Sequence, residues 1–282
     1  MPATMADLHL SDPSTFKPPF KLDTVTYYRL QAKEKLAYDD ALRALPDDKR
    51  EMRAVDQRYL EAMMPLFTRI GYQEKSVARY IASAVHTAPS DDIRVWASCQ
   101  MVDEAQHAEM DDYLLWVLGV SHADTDAIWA ASAAKPNFDY MESLTNPYQI
   151  VVEGNLFVEG GLALGNIFAY IDMAKDYGDE LRQLQHKTRC TDEARHIAFG
   201  FALAEALIAD DPENLVTIQA AQDETLPRLV AGYMKTFRPV EKQLGAEGYG
   251  KRHLRAASER YYAKATRLGL RPTAIPELDL LY

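Results

Sequence analysis

Two short segments of the 282-residue chain carry one pattern: Val102-Asp103-Glu104-Ala105-Gln106-His107 and Thr191-Asp192-Glu193-Ala194-Arg195-His196 both read Asp-Glu-x-x-His. Positions i and i+3 of an α-helix lie about 60° apart, so each segment projects a carboxylate and an imidazole from one face. Each also has a glutamate upstream on the preceding helical stretch, Glu74 ahead of Glu104 and Glu159 ahead of Glu193. The faces are otherwise core-like, with Val102, Ala105, Ala108, Ala194, Ile197 and Phe199 beside the ionisable groups. Burying an unpaired carboxylate costs several kcal/mol, so four glutamates and two histidines turned into one interior need positive charge beside them. Two metal ions supply it. A lone Glu-x-x-His is a weak signal; two copies, each with its upstream glutamate, match the di-metal arrangement of carboxylate helix bundles.

The elements that must hold this kit are helical. Period-two alternation is nearly absent, and spacing predicts helices near 22–45, 48–64, 65–87, 90–118, 124–134, 147–176, 178–209, 213–237 and 250–268. Ser90 with Asp91 and Asp92 reads as a helix start, Gly119 as its end, and Asn146-Pro147 as the next start. Four long helices, 65–87, 90–118, 147–176 and 178–209, carry the motifs and predict an all-α antiparallel four-helix bundle with flanking helices. A Pro-rich extension spans residues 1–20. One helical domain is expected over 21–270, and the tail 271–282 reads as irregular, docked on a neighbouring subunit or free.

Composition bounds the function. With 42 acidic against 31 basic residues the net charge is -11, which argues against a nucleic-acid or anionic-membrane binder. No stretch approaches about 20 uninterrupted apolar residues, and the N-terminus lacks the basic-then-apolar order of a secretion signal, so a cytoplasmic protein is expected. Cys99 and Cys190 make no framework, and no phosphate-binding glycine loop is present.

The recurrence of Glu, about thirty residues, then Asp-Glu-x-x-His resembles the di-iron carboxylate proteins of the ferritin-like superfamily. Within it, CQMVDEAQH and VEGGLALGNIFAYIDMAKDYGD…TDEARH most resemble the catalytic hydroxylase subunit of bacterial multicomponent phenol, toluene and methane monooxygenases. VEGGLAL and DEARHIAFG also resemble oxidase relatives of the ribonucleotide reductase small subunit. The resemblance spans roughly residues 60–210. It implies Glu74, Glu104 and His107 on one iron and Glu159, Glu193 and His196 on the other, with glutamates also bridging. It further implies that Asp103 holds the ring of His196 and Asp192 that of His107. Glu153, six residues before Glu159 and about 240° round an α-helix, is the rival for the third-helix ligand and is expected at the rim.

Two positions depart from those relatives. Asp111, four after His107, stands where radical-generating reductase subunits usually keep a tyrosine, and Ala163, four after Glu159, where many of the monooxygenases have threonine. The hydroxylase subunits are also generally much longer, so the resemblance implies a pared-down member or a distinct oxidase. Projection from the ligands makes Gln100, Asp111, Asn155, Ala163, Asn166, His186 and Arg189 candidates for the cavity wall. Gln100 and Asn155 would touch substrate, Asp111 would relay a proton, pair an amine or add a ligand, and Arg189 would take a substrate carboxylate. The function expected is an oxygen-activating di-iron monooxygenase or oxidase acting on a small organic substrate, with electrons from a separate reductase or ferredoxin and a homodimeric assembly. The alternatives are a mixed manganese–iron ligand-binding or radical-generating oxidase and a ferritin-type storage protein, since carboxylates and imidazoles suit both metals.

Overall fold

The computed structural model describes residues 4–19 and 24–280. In chain order its helices are α1 (Thr24–Ala44), α2 (Asp47–Arg50), α3 (Gln57–Thr87), α4 (Asp91–Val117), α5 (His122–Ala130), α6 (Lys135–Glu142), α7 (Pro147–Val151), a π-helical segment (Val152–Ala163), α8 (Leu164–Asp176), α9 (Glu180–Asp210), α10 (Glu213–Leu244) and α11 (Tyr249–Ala265). No strand occurs among the described residues. The fold is a ferritin-like four-helix bundle of α3, α4, the continuous rod α7–π–α8 and α9, with α1 on one side and α10 and α11 on the other.

Local chemistry sets most ends. Asp56 caps α3 by accepting from Arg58 N, Ser90 caps α4 by accepting from Ile93 N, and Asn146 accepts from Tyr148 N and Gln149 N ahead of Pro147. Gly119 follows α4 with φ +70°, the left-handed conformation that favours glycine. Three expected boundaries differ, the first being that the helix expected from residue 48 breaks at residues 51–56, between α2 and α3. A break at Pro65 is absent, because Tyr59, Leu60, Met63, Leu66 and Phe67 bury on both sides of it and carry α3 through. Likewise α10 runs through Pro227 and Pro239 to Leu244. The helix α6 was not legible because its eight residues are too few to show a period.

The rod Pro147–Asp176 is long and apolar enough to pass as a membrane span, yet it carries Glu153 and Glu159 and packs against α9, α10 and α11. It is the central helix of the bundle. Glycines let its neighbours approach: a Cβ on Gly200 of α9 would lie 2.9 Å from Leu156 N and 2.8 Å from Asn155 Cβ.

The described residues near both ends of the chain pack on the bundle. Leu8, Leu10 and Phe16 are buried, Phe16 edge-on to Phe199, and Asn146 Nδ2 donates to the carbonyls of Ala6 and Leu8. The tail closes on its own chain: Gln222 Nε2 donates to Arg271 O and Thr273 Oγ1, Tyr262 Oη donates to Thr273 O, and Ile275, Leu278 and Leu280 are buried. The apolar residues interspersed in these segments explain why they are held. Residues 1–3, 20–23 and 281–282, which fall in the extension, at the expected domain start and in the tail, lie outside the described residues.

Gly200→Ala is expected to lower unfolding stability by about 1–3 kcal/mol, because its methyl meets backbone. Gly232→Ala in α10, where a Cβ meets nothing within 4 Å, is expected to leave stability unchanged or raise it by about 0.5–1 kcal/mol. Denaturant unfolding of both variants measures the contrast.

Candidate metal centre

The bundle brings all six residues of the duplicated kit together. Glu74 comes from α3, Glu104 and His107 from α4, Glu159 from the π segment, and Glu193 and His196 from α9. Their donor atoms form two overlapping groups, Glu74–Glu104–His107–Glu193 and Glu104–Glu159–His196, each with atoms within 4.8 Å of one another. Glu104 belongs to both. Its Oε2 lies 3.3 Å from His107 Nδ1 and its Oε1 3.2 Å from His196 Nδ1. Glu193 is split the same way, Oε1 4.0 Å from His107 Nδ1 and Oε2 3.8 Å from His196 Nδ1. Glu74 and Glu159 stand at the two ends, 3.5 Å from His107 and 3.6 Å from His196.

The far side of each imidazole meets an aspartate of the opposite motif. His107 Nε2 lies 3.0 Å from Asp192 Oδ2, and His196 Nε2 lies 3.1 Å from Asp103 Oδ2. Asp103 also accepts from Tyr27 Oη and Gln31 Nε2, each at 2.7 Å, and Asp192 accepts from Arg195 Nη2, which also reaches Glu34 at 3.1 Å. Tyr27, Gln31 and Glu34 of α1 carried no motif. Arg195 was visible, one residue before a motif histidine, but not what it would touch.

The electrostatics expose what the cluster lacks. Burial lifts the carboxyl of Glu74 to about 7 and that of Glu159 well above the ordinary range, where the neighbouring Glu193 adds to the effect. Burial also opposes the charge of Glu104, yet the hydrogen bond from His107 and the charge of both neighbouring imidazoles hold it well below the usual value. Burial disfavours charged imidazoles too, but Asp192, Glu104 and Glu74 around His107, and Glu159, Asp103 and Glu104 around His196, keep both rings protonated well above the ordinary histidine range. Protons thus occupy a site that calls for cations. Four inward-facing atoms, Glu104 Oε1, Glu159 Oε2, Glu193 Oε2 and His196 Nδ1, have no hydrogen-bond partner. Six hard oxygen and nitrogen donors, with orphaned atoms turned inward and the back of each ring held by carboxylate, suit the binding of two metal ions.

A cavity of about 110 Å³ opens beside the cluster, between α3, α6, the rod and α10, and Glu74, Glu104, Glu159 and Glu193 form its inner wall. Val77, Phe138, Met141, Val158, Leu162 and Leu229 make it largely apolar. Tyr80 also lines it; burial and the four glutamates raise its phenol well above the ordinary value, so its unpartnered Oη keeps its proton. Arg69, Arg228 and Tyr233 are among the other residues that line it.

Of the residues expected in the wall, Ala163 and Asn166 are there. Gln100, Asp111, Asn155, His186 and Arg189 are not, because the bundle turns them toward neighbouring helices instead. Gln100 and Asn155 exchange amide hydrogen bonds, Gln100 Nε2 donating on to Glu159 Oε1 at 2.8 Å and Asn155 Nδ2 to His196 O at 3.1 Å. Asp111 is sandwiched between Arg182 at 2.5 Å and Arg189 at 2.6 Å, and Arg189 also donates to His107 O. His186 stacks on Tyr170. Helical projection found the right neighbourhood but could not tell wall from interhelix seam. Glu153 accepts from Tyr140 Oη and Gln149 Nε2 and touches the cavity away from the two donor groups.

Known proteins share this architecture. Phenol hydroxylase from Pseudomonas sp. OX1 superposes with a TM-score of 0.77 at 17% identity, covering 99% of this chain and 59% of that one. The hydroxylase of toluene 4-monooxygenase superposes with a TM-score of 0.75 at 15% identity over 84% of both chains. An R2-like ligand-binding oxidase with a Mn/Fe cofactor gives 0.65 at 15% identity over 91% of this chain and all of that one. This chain therefore spans about three-fifths of the phenol hydroxylase it matches. No curated protein matches it. The family model for methane/phenol/alkene hydroxylases matches residues 1–211, through the last turn of α9 and so across every residue of the cluster. A chain that carries this cluster and matches that model over three-quarters of its length belongs to the methane/phenol/alkene hydroxylase family.

Proposed function

We propose that the protein is a non-haem di-iron oxygenase or oxidase that uses dioxygen to oxidise a small organic molecule bound in the cavity. The observation that carries this reading is the sharing of Glu104 and Glu193 between the two imidazoles, beside a cavity whose inner wall is the same set of carboxylates. Glu74 and His107 would hold one iron, Glu159 and His196 the other, and Glu104 and Glu193 would bridge them. Four carboxylates balance two divalent ions, which removes the charge deficit of the bare cluster. When bound, the iron pair supplies the reductive activation of dioxygen.

The chain's own part is positioning and exclusion. Asp192 and Asp103 accept from the Nε2–H groups of His107 and His196, leaving each Nδ1 lone pair for a metal. Tyr80 Oη offers a proton donor in the wall next to the carboxylates, and the apolar residues keep bulk water away. A storage role fits less well, since storage needs no enclosed apolar chamber. Manganese suits the same donors, so a manganese–iron pair is the second form of this reading. Electrons would come from a separate reductase or ferredoxin docking on the acidic surface of a cytoplasmic homodimer.

Metal analysis with Mössbauer spectra, before and after reduction and exposure to oxygen, tests the reading: about two irons per chain and oxygen uptake by the reduced protein are expected. One iron with one manganese would select the second form. Absence of tightly held metal in a folded, metal-supplemented sample would overturn both. Asp192→Asn is expected to weaken metal binding by about 10- to 100-fold without unfolding the chain, read by competitive chelator titration. Metal must displace protons from the imidazoles and from Glu74, whose carboxyl titrates at about 7, so affinity falls as pH falls. The same titration repeated from pH 8 to pH 6 is expected to show a loss of about tenfold per pH unit for each proton displaced. A pH-independent affinity would contradict the protonated cluster.

A further inference from the structure

Four arginines are buried among the described residues: Arg69, Arg182, Arg189 and Arg195. Three are neutralised at short range, Arg182 and Arg189 by Asp111 and Arg195 by Asp192. Arg69 differs. Only 3% exposed, it donates to Tyr170 Oη at 3.3 Å and stacks over the ring of Tyr233 at 5.3 Å, its Nε has no acceptor, and no carboxylate is among its partners. A guanidinium cannot shed its proton, so this is a retained buried charge whose cost is met only in part by a phenol and an aromatic face.

Its surroundings give that charge a direction. Arg69 lines the same cavity as the cluster, as does Tyr233, whose buried Oη is a second unpartnered donor. Arg69 precedes Glu74 on α3 by five residues, about 7.5 Å of axial rise, a distance that one ring or a short chain bridges. Val77, Phe138, Leu162 and Leu229 give that cavity apolar walls. Arg228, exposed and paired with Glu224 at 3.9 Å, lines the cavity beside Tyr140. The cavity, about 110 Å³, is somewhat smaller than the engineered cavity of ~150 Å³ that takes up benzene.

We propose that Arg69 and Tyr233 bind the carboxylate of a small, otherwise apolar organic acid, which then presents its far end to the glutamate–histidine cluster. This rests on the reading of that cavity as the substrate site and names the class of substrate it takes: monoanionic acids rather than neutral hydrocarbons. The guanidinium fork meets a carboxylate in planar, paired hydrogen bonds, and the Tyr233 hydroxyl supplies a further donor. The selectivity follows from desolvation. A neutral hydrocarbon in this cavity leaves the guanidinium as poorly satisfied as before and an amide offers it one uncharged oxygen, whereas a carboxylate meets it with paired, charged acceptors.

The test is calorimetric titration of the full chain with benzoate and with hexanoate, each beside its uncharged amide, with ferrous iron under argon and without iron. Both acids are expected to bind more tightly than their amides in either state, and at least one of them by tenfold or more. Arg69→Gln is expected to remove about 10- to 100-fold of the acid's affinity while leaving that of the amide unchanged, and Arg69→Lys to restore part of it. Amides binding as well as acids to the unmodified protein would overturn the proposal, whatever the folding of the variants. Acid binding that needs iron and is unchanged in Arg69→Gln would place the carboxylate on the metals and overturn it also, leaving the di-iron reading intact. Inorganic phosphate binding more tightly than either acid, and lost in Arg69→Gln, would replace the carboxylate assignment. Arg69-dependent acid binding in a folded chain that takes up no iron even when supplemented with it would sustain this proposal and remove the di-iron one.

Discussion

Glu74, Glu104, Glu159 and Glu193 stand on four helical segments with their oxygens converging on two imidazoles, and in a helical interior that concentration of charge governs what can pack around it. Unbalanced, it is prohibitive. The structure answers in two ways. At the centre, the donors leave atoms unpartnered toward one another, so that only protons or metal ions can complete them. Around the centre, charge is placed in opposed pairs: Asp111 between Arg182 and Arg189, and Asp103 and Asp192 beside Arg195. The helices are thereby tied by groups that would be costly to separate, and the bundle gains a defined register from the electrostatics of its site.

The ties run crosswise. Asp103 and His107 are four residues apart on α4, hence on one face, and so are Asp192 and His196 on α9. Each aspartate engages the histidine of the other helix, so the two motifs interlock as a pseudo-twofold pair. Sliding one helix along the other would break both contacts at once. On the side away from the cavity, α1 closes the interlock with Tyr27 and Gln31 on Asp103. A single residue type at each place does the structural and the chemical task together, which is why a motif of five positions can specify so much of the bundle.

That economy explains what the sequence disclosed. The all-helical class, the long helices and the six clustered residues followed from a repeated i, i+3 pair with an upstream carboxylate, since such a pattern has few other uses in an apolar setting. The positions of Asp103 and Asp192 followed from the same repetition. What escaped had no period of its own. The π segment Val152–Ala163 changes the angular spacing that separated Glu153 from Glu159, and only its Gly154, Gly160 and Gly161 hint at close packing. Pro65 inside α3 read as a boundary because local chemistry disfavours it, whereas tertiary packing decides. Arg189 was legible as a buried cation near the site but not as one already neutralised by Asp111, and Arg69, the arginine without such a partner, lies five residues before Glu74 in a stretch with no motif.

The division between legible and silent residues has a physical origin in the way the cavity is built. Its inner wall belongs to the metal-binding faces, where donor type and spacing are fixed by coordination chemistry. Its outer wall is made by α6 and α10, which stand outside the four motif-bearing segments and meet no ligand constraint. There the requirement is only shape and charge complementarity to whatever enters, and many residue combinations satisfy it. Substitutions in α6, α10 and the facing side of α3 can therefore reshape the cavity without disturbing the interlocked motifs. Phe138, Arg228, Leu229 and Tyr233, together with Arg69 and Val77 from α3, form that outer half here, and the buried guanidinium within it is the feature on which the proposed anionic substrate rests.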